Sequence, residues 1–208
     1  MCGRYVTGTD EHDWRAWASL LELSSTALTE ALAPSKAEVD AFYPTAAVPI
    51  VRRLERGIAV DRARWGLAPS WMKRPLSSPP QYNVRVETAP TKFKKYFATR
   101  RCLLPATGFW LAKDSGRAEA AAPFVRVIGA PTFAFAGLWT ERELDGETLL
   151  SCTILTTEAG PELRALHERM PVVLTLDTAG PWLAQSTGVD ELEALCGSHV
   201  EFEVAAAA

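Results

Sequence analysis

Phe133-Ala134-Phe135-Ala136-Gly137-Leu138-Trp139-Thr140 and, beyond the turn pair Asp145-Gly146, Leu149-Leu150-Ser151-Cys152-Thr153-Ile154-Leu155-Thr156-Thr157 are the stretches whose reading decides the fold. Both are rich in aromatic, β-branched and aliphatic residues and are bounded by turn chemistry, so they read as neighbouring strands. Shorter runs of the same kind lie at 48–53, 58–65, 101–104, 108–111, 124–128 and 200–204. Helical spacing is confined to a few pieces. Trp14, Trp17, Leu20 and Leu21 follow Thr9-Asp10-Glu11-His12-Asp13, with Thr9 as the expected N-cap. Residues 25–33, 161–167, 178–185 and 190–195 read as further short helices, and 75–80 as a surface loop. Many short strands with helices gathered at the ends predict an α+β fold. The expectation is a single domain over 2–204, built on a strongly bent, barrel-like antiparallel β-sheet with flanking helices, and a tail at 205–208.

The chain has 208 residues, 22 Lys plus Arg against 25 Asp plus Glu, and 48% apolar residues. That profile excludes disordered and collagen-like chains. A chain of this size buries about 70% of its unfolded surface without staples. Its apolar runs fall far short of the ~20 residues of a membrane-spanning helix. Arg4, Asp10, Glu11 and Asp13 interrupt the N-terminus before a signal-peptide core forms. The expectation is therefore an intracellular, cytoplasmic protein with no membrane partner. Cys2, Cys102, Cys152 and Cys196 show no C-x-x-C pair and no His at zinc spacing, so neither metal nor cofactor is expected. Cys102 and Cys152, in strand-like apolar runs, read as buried small hydrophobes. With no heptad and no apolar stripe, the expected state is a monomer.

Charge is unevenly distributed. Residues 51–101 hold 13 basic and three acidic side chains, a balance of +10, which leaves −13 for the rest of the chain. The same stretch carries Trp65, Trp71, Tyr82, Tyr96 and Phe97. Cations that track phosphates, interleaved with rings that stack on bases, suit a nucleic-acid groove. A solvated basic face that is merely local in sequence is the alternative.

Cys2 carries the most distinctive chemistry. Methionine before a small residue is normally trimmed, and a chain that begins at Cys2 presents a free 1,2-aminothiol. An α-amine of pKa about 8 beside a thiol of pKa about 8.5 offers neutral amine and some thiolate at physiological pH. The amine forms a Schiff base with an aldehyde, and the thiol closes it to a thiazolidine that resists hydrolysis. A second use is that of N-terminal nucleophile hydrolases, in which the amine serves as base for its own side chain. A Met-Cys start without function is the third.

Met1-Cys2-Gly3-Arg4-Tyr5 stands in order with Trp65-Gly66-Leu67-Ala68-Pro69-Ser70-Trp71, Asn83-Val84-Arg85-Val86-Glu87-Thr88, Arg101-Cys102-Leu103-Leu104-Pro105-Ala106-Thr107-Gly108-Phe109 and His167-Glu168-Arg169-Met170-Pro171-Val172-Val173-Leu174. Together these segments resemble the SOS response-associated peptidase (SRAP) family, whose members sense abasic sites in single-stranded DNA. The resemblance implies a thiazolidine cross-link between mature Cys2 and the ring-opened deoxyribose aldehyde, and association with the nucleoid during DNA damage. It implies that Asn83 positions Cys2 or the sugar and that His167 is the acid/base residue. It assigns Arg4, Arg85 and Arg169 to the phosphates flanking the lesion, Trp71 and Met72 to a wedge that splays the strand, and Thr157 to the sugar-phosphate.

Three departures mark this chain. The family follows its Pro-x-x-Gly segment with an aromatic pair and then an active-site Glu; here Gly108-Phe109-Trp110-Leu111 places Leu111 at that position. A positioned acid/base group commonly contributes about 10²- to 10⁴-fold in rate. Asp114, the nearest acid, is not assigned the role. The family's Tyr-Asn-x-Ala-Pro appears as Tyr43-Pro44-Thr45-Ala46-Ala47, and the C-terminus lacks the Pro-Val-Ser strand. Three readings follow: a slowed abasic-site cross-linker, a non-covalent single-stranded DNA binder, and an autocatalytic thiol peptidase acting on its own N-terminus.

Overall fold

Two twelve-residue strands joined at Asp145-Gly146 form a long hairpin in which Leu144 faces Glu147 and Gly137 faces Ile154. Both turn residues have positive φ, 53° and 84°, which matches the twist of the strands they join. The computed structural model describes residues 2–33, 41–74, 76, 80–111 and 122–205. In chain order its elements are β1 (Arg4–Val6), α1 (Glu11–Leu20), α2 (Ser25–Leu32), β2 (Ala47–Leu54), β3 (Gly57–Trp65) and β4 (Asn83–Arg85). Then come a 3₁₀ turn (Val86–Thr88), α3 (Ala89–Lys92), α4 (Lys94–Thr99), β5 (Arg101–Ala106), β6 (Gly108–Trp110) and β7 (Phe124–Val127). The long hairpin is β8 (Phe133–Leu144) and β9 (Glu147–Glu158). The chain continues through α5 (Pro161–Arg164), β10 (Arg169–Pro171), β11 (Val173–Leu174), α6 (Leu176–Leu183), α7 (Val189–Cys196) and β12 (Phe202–Ala205).

The strands β3, β2, β5, β8 and β9 close on themselves as a barrel. The seam is a short parallel pairing, Arg64 opposite Ser151 and Trp65 opposite Cys152, so the sheet is antiparallel except where β3 and β4 meet β9. Gly137 permits the closure, because a Cβ there would stand 2.4 Å from Leu104 Cδ1 and 2.8 Å from the Thr153 carbonyl oxygen. Residues alternate between two buried faces. Ile50, Cys102, Leu104 and Phe135 point into one apolar cluster with Tyr5, Trp65 and Phe109, while Val51, Leu103, Ala136 and Leu138 pack with the helical residues Trp14, Trp17, Phe97 and Trp182. Burial on both faces is why 133–140 reads as a continuous apolar run. A second sheet, ordered β1-β6-β7-β12, lies against the first cluster. No helix among the described residues is long and apolar enough to cross a membrane.

Several expectations shift. Asp10, not Thr9, caps α1, its carboxylate accepting from the His12 N–H at 2.8 Å. Leu20 is 40% exposed while its neighbour Leu21 is buried. The helix expected over 161–167 ends at Arg164, and Ala205 belongs to β12 instead of a tail. α3 and α4 escape the sequence reading because they are under two turns each and lie in a lysine-rich run. The strands β1, β4, β10 and β11 are three residues or fewer, too short for alternation to register. The 75–80 loop falls largely, and Asp114 wholly, outside the described residues.

Candidate functional site

The C-terminal half of β9 is the scaffold of the site. β4 runs parallel along one edge, with Asn83 opposite Ile154 and Arg85 opposite Thr156. β10 runs antiparallel along the other, with Arg169 opposite Glu158 and Met170 opposite Thr157. β10 occupies the gap where β8 and β9 part, for the Val172 N–H donates to the Leu155 carbonyl while the Val172 carbonyl accepts from the Ala136 N–H. Two segments about 85 residues apart in sequence are thereby fixed on either side of one strand.

The chain start is tied to this scaffold. Asn83 Nδ2 donates to the Cys2 carbonyl oxygen at 2.9 Å, and Asn83 Oδ1 is buried with no hydrogen-bond partner. Cys2 is 1% exposed and shares its apolar cluster with Leu111, Ala159 and Leu163, with Leu166 and Met170 packed against it. Burial pushes its thiol up to about 12, despite a weak contact from Sγ to the Arg4 carbonyl at 3.9 Å. At neutral pH this sulfur is a neutral thiol. Leu111 is fully buried in the same cluster, to which it contributes aliphatic surface and no titratable group.

His167 follows the single turn of α5, its N–H bonded to the Leu163 carbonyl. The Arg169 N–H donates to His167 Nδ1 at 2.8 Å, which makes Nδ1 the acceptor and leaves the proton of the neutral ring on Nε2. Burial lowers its pKa below the ordinary value, and nearby positive charge, Arg169 included, acts the same way. The ring is therefore neutral at pH 7. A proton gained at Nδ1 would break the Arg169 N–H contact and turn the ring toward the Arg169 carbonyl oxygen 3.0 Å away.

Arg169 is committed elsewhere than to an open surface. It is 7% exposed, its Nη1 and Nη2 hold Glu87 bidentately at 2.7 and 2.9 Å, and Nη2 also donates to the Thr156 carbonyl. These bonds hold the Glu87 carboxyl below the usual carboxylate range. Glu87 thus pairs with Arg169 and not with Arg85, its neighbour in sequence. Arg85 is exposed, and with Arg164, Arg169, Glu158 and Glu168 it lines a recess of about 310 Å³. Arg4 stacks its guanidinium 3.7 Å over the Trp110 ring, the residue opposite it in the β1–β6 register.

Trp71 is 61% exposed, with its ring 6.4 Å from Phe93. Arg142 fixes the loop that presents it, donating to the Pro69 and Met72 carbonyls at 3.0 and 2.9 Å. Met72 and Thr157 are half-buried. Of the other rings of the basic segment, Trp65 and Phe97 are core and Tyr96 is nearly so, while Tyr82 is half-buried. Its cations are not all exposed either. Arg52 is buried against Asp61 and Glu141, and Arg101 is 1% exposed beneath helix-end carbonyls. Arg142, Arg164 and the Glu87–Arg169 pairing were not legible in sequence, because each is a contact across more than 70 residues or a lone charge without a motif.

The match to known proteins extends along the chain: residues 1–207 fit the family described as SOS response associated peptidase (SRAP). The chain belongs to the SRAP family. This SRAP chain is 34% identical over 142 residues to the abasic site processing protein YoaM of Bacillus subtilis, covering 65% of this chain and 62% of that protein. It is 30% identical over 159 residues to the abasic site processing protein YedK of Escherichia coli, covering 74% and 68%. The matched region spans about 62% of the length of the Bacillus relatives. A crystal structure of a Bordetella bronchiseptica protein superposes with a TM-score of 0.74 at 23% identity over 99% of both chains. A Bacteroides thetaiotaomicron structure gives 0.72 at 19% identity, covering 98% and 91%. These two likenesses show that the fold is shared with solved structures over almost the whole chain.

Proposed function

We propose that this protein recognises abasic sites in single-stranded DNA and, when the chain begins at Cys2 after loss of Met1, captures the ring-opened aldehyde as a thiazolidine, protecting the lesion. The observation that carries the reading is the bond from Asn83 to the Cys2 carbonyl, which holds the chain start beside the β4–β9–β10 scaffold. The names of the relatives, abasic site processing proteins, agree with it.

The α-amine of Cys2 adds to the C1′ aldehyde, and loss of water leaves a Schiff base. The Cys2 sulfur then adds to the imine carbon while the thiol proton passes to nitrogen, closing the five-membered ring. The α-amine is the first nucleophile, since imine formation has to precede closure by sulfur. His167 Nε2–H donates to the ring oxygen of the closed sugar and takes part in proton transfer at the imine. Asn83 positions the amine, with Oδ1 as its acceptor. Arg4 and Arg85 face the flanking phosphates, Arg169, bonded to Glu87, acts by positioning His167 through its backbone N–H, and exposed Trp71 beside Met72 wedges the strand. Thr157, opposite Met170 in the β9–β10 register, contacts the sugar-phosphate in this reading. The test is a denaturing gel with a uracil-excised oligonucleotide: a heat-stable adduct with wild type and none with Cys2→Ala or with intact DNA.

A second reading is favoured by Leu111. With an aliphatic wall where the acid would act and a thiol that is buried and neutral, the protein binds single strands without efficient capture. Salt-sensitive binding that treats abasic and intact strands alike, with no adduct, selects this reading.

A further inference from the structure

The outer side of the β1-β6-β7-β12 sheet carries a channel that the site above does not use. A hollow of about 830 Å³ passes Val6, Phe124 and Phe202 and runs into a second of about 590 Å³ at Thr175, Leu176 and Val200. Asp13, Val127, Ile128, Gly129 and Pro131 line both, so the two adjoin. Its floor leaves large aliphatic side chains open to water, Ile128 at 55% and Leu176 at 37% exposure. Exposed aliphatic side chains set among charges offer a partner both apolar contact and charge pairing. Its rim is acidic: Asp13, Asp177, Glu201 and Glu203 are all exposed, against the single arginine Arg126 among the described lining residues.

We propose that this channel binds an extended, basic segment of a partner protein, aliphatic side chains against Ile128 and Leu176 and lysines or arginines at the acidic rim. Charge selects the occupant. Phosphates would meet four carboxylates here, whereas the cations of the 51–101 segment lie outside this lining. A second copy docked face to face would bring the same carboxylates against each other, since a two-fold contact pairs a patch with itself. An extended segment along the channel passes β12, which among the described residues pairs with β7 alone and is the last strand of its sheet, a position suited to backbone pairing with an added strand.

The test is selection of random twelve-residue peptides displayed on phage against the full chain, followed by affinity measurement with the winning synthetic peptide. The expected consensus mixes Lys or Arg with Leu, Ile or Val. Its binding falls by about tenfold or more with Asp177→Lys plus Glu201→Lys, and likewise with Ile128→Ser, while oligonucleotide binding is unchanged. Absence of a consensus, an acidic consensus, or equal binding to both variants overturns the proposal. So does loss of oligonucleotide affinity in the rim variant, which would make DNA the occupant. A sedimenting dimer abolished by Ile128→Ser would make it a second copy, and equally overturns it. None of these outcomes depends on Cys2 chemistry.

Discussion

Asn83 Nδ2 donates to the Cys2 carbonyl oxygen at 2.9 Å while its Oδ1 stays buried without a partner. One side chain therefore fixes where the chain begins and keeps an acceptor in reserve beside it. Replacing it with leucine removes both, leaving the Cys2 carbonyl unpaired, at a cost of about 1 kcal/mol in stability. The larger effect falls on capture: adduct formation by Asn83→Leu slows by about tenfold or more, since a misplaced nucleophile loses much of the advantage of orientation. Single-turnover gels with protein of verified N-terminus measure it, alongside oligonucleotide affinity, which stays within a few-fold of wild type.

Leu111→Glu tests whether an acid at this position speeds capture. Leu111→Glu places a carboxyl in a fully buried apolar cluster beside Cys2, where burial raises its pKa and it enters neutral. The substitution lowers stability by about 2–4 kcal/mol and raises the initial rate of adduct formation, by up to about 10²-fold. Urea unfolding and gel kinetics on one preparation separate the two effects. Leu111→Ala destabilises to a similar extent without any acceleration.

His167 gives the pH dependence. Burial lowers its pKa from 6.5, so the folded protein binds fewer protons there than the unfolded chain. Its contribution to stability is complete above about 6.5 and is lost as pH falls through the depressed folded value. Adduct formation follows the same direction, falling with acid as Nδ1 takes a proton and releases the Arg169 N–H. His167→Gln, which keeps hydrogen bonding but does not titrate, flattens that limb of the rate profile. A profile that retains the inflection would place the titrating group elsewhere.

Arg101 braces the helices over the barrel. Its guanidinium donates to the carbonyls of Trp182, Phe97, Ala98 and Ala184 and joins the ends of α4 and α6. Arg101→Leu strands several of those carbonyls and costs about 3 kcal/mol or more, read from the urea midpoint. Arg101→Lys recovers only part, since one ammonium cannot span four acceptors.

The barrel was legible in sequence because its strands bury both faces, so Phe133 to Thr140 shows apolar character in every position. The residues that build the site were legible only through their motifs. Asn83 and Arg169 lie in three-residue strands, and their placement comes from register against β9, a long-range relation without local periodicity. The charge count over 51–101 was a coarser guide. Arg52 and Arg101 are internal braces, and Trp65 and Phe97 are core, because the segment winds from β2 to β5 through the barrel instead of lying along one face. Trp71 remains as its exposed ring, and Arg85 as the cation that lines the recess at the site.

The most direct measurement is the intact mass of untagged protein after incubation with a uracil-excised single-stranded oligonucleotide. The predicted product has the mass of the chain without Met1 plus the oligonucleotide less one water, survives heating, and is absent with Cys2→Ala. Protein that lacks Met1, binds the oligonucleotide and yields only the two unmodified masses would contradict covalent capture through Cys2.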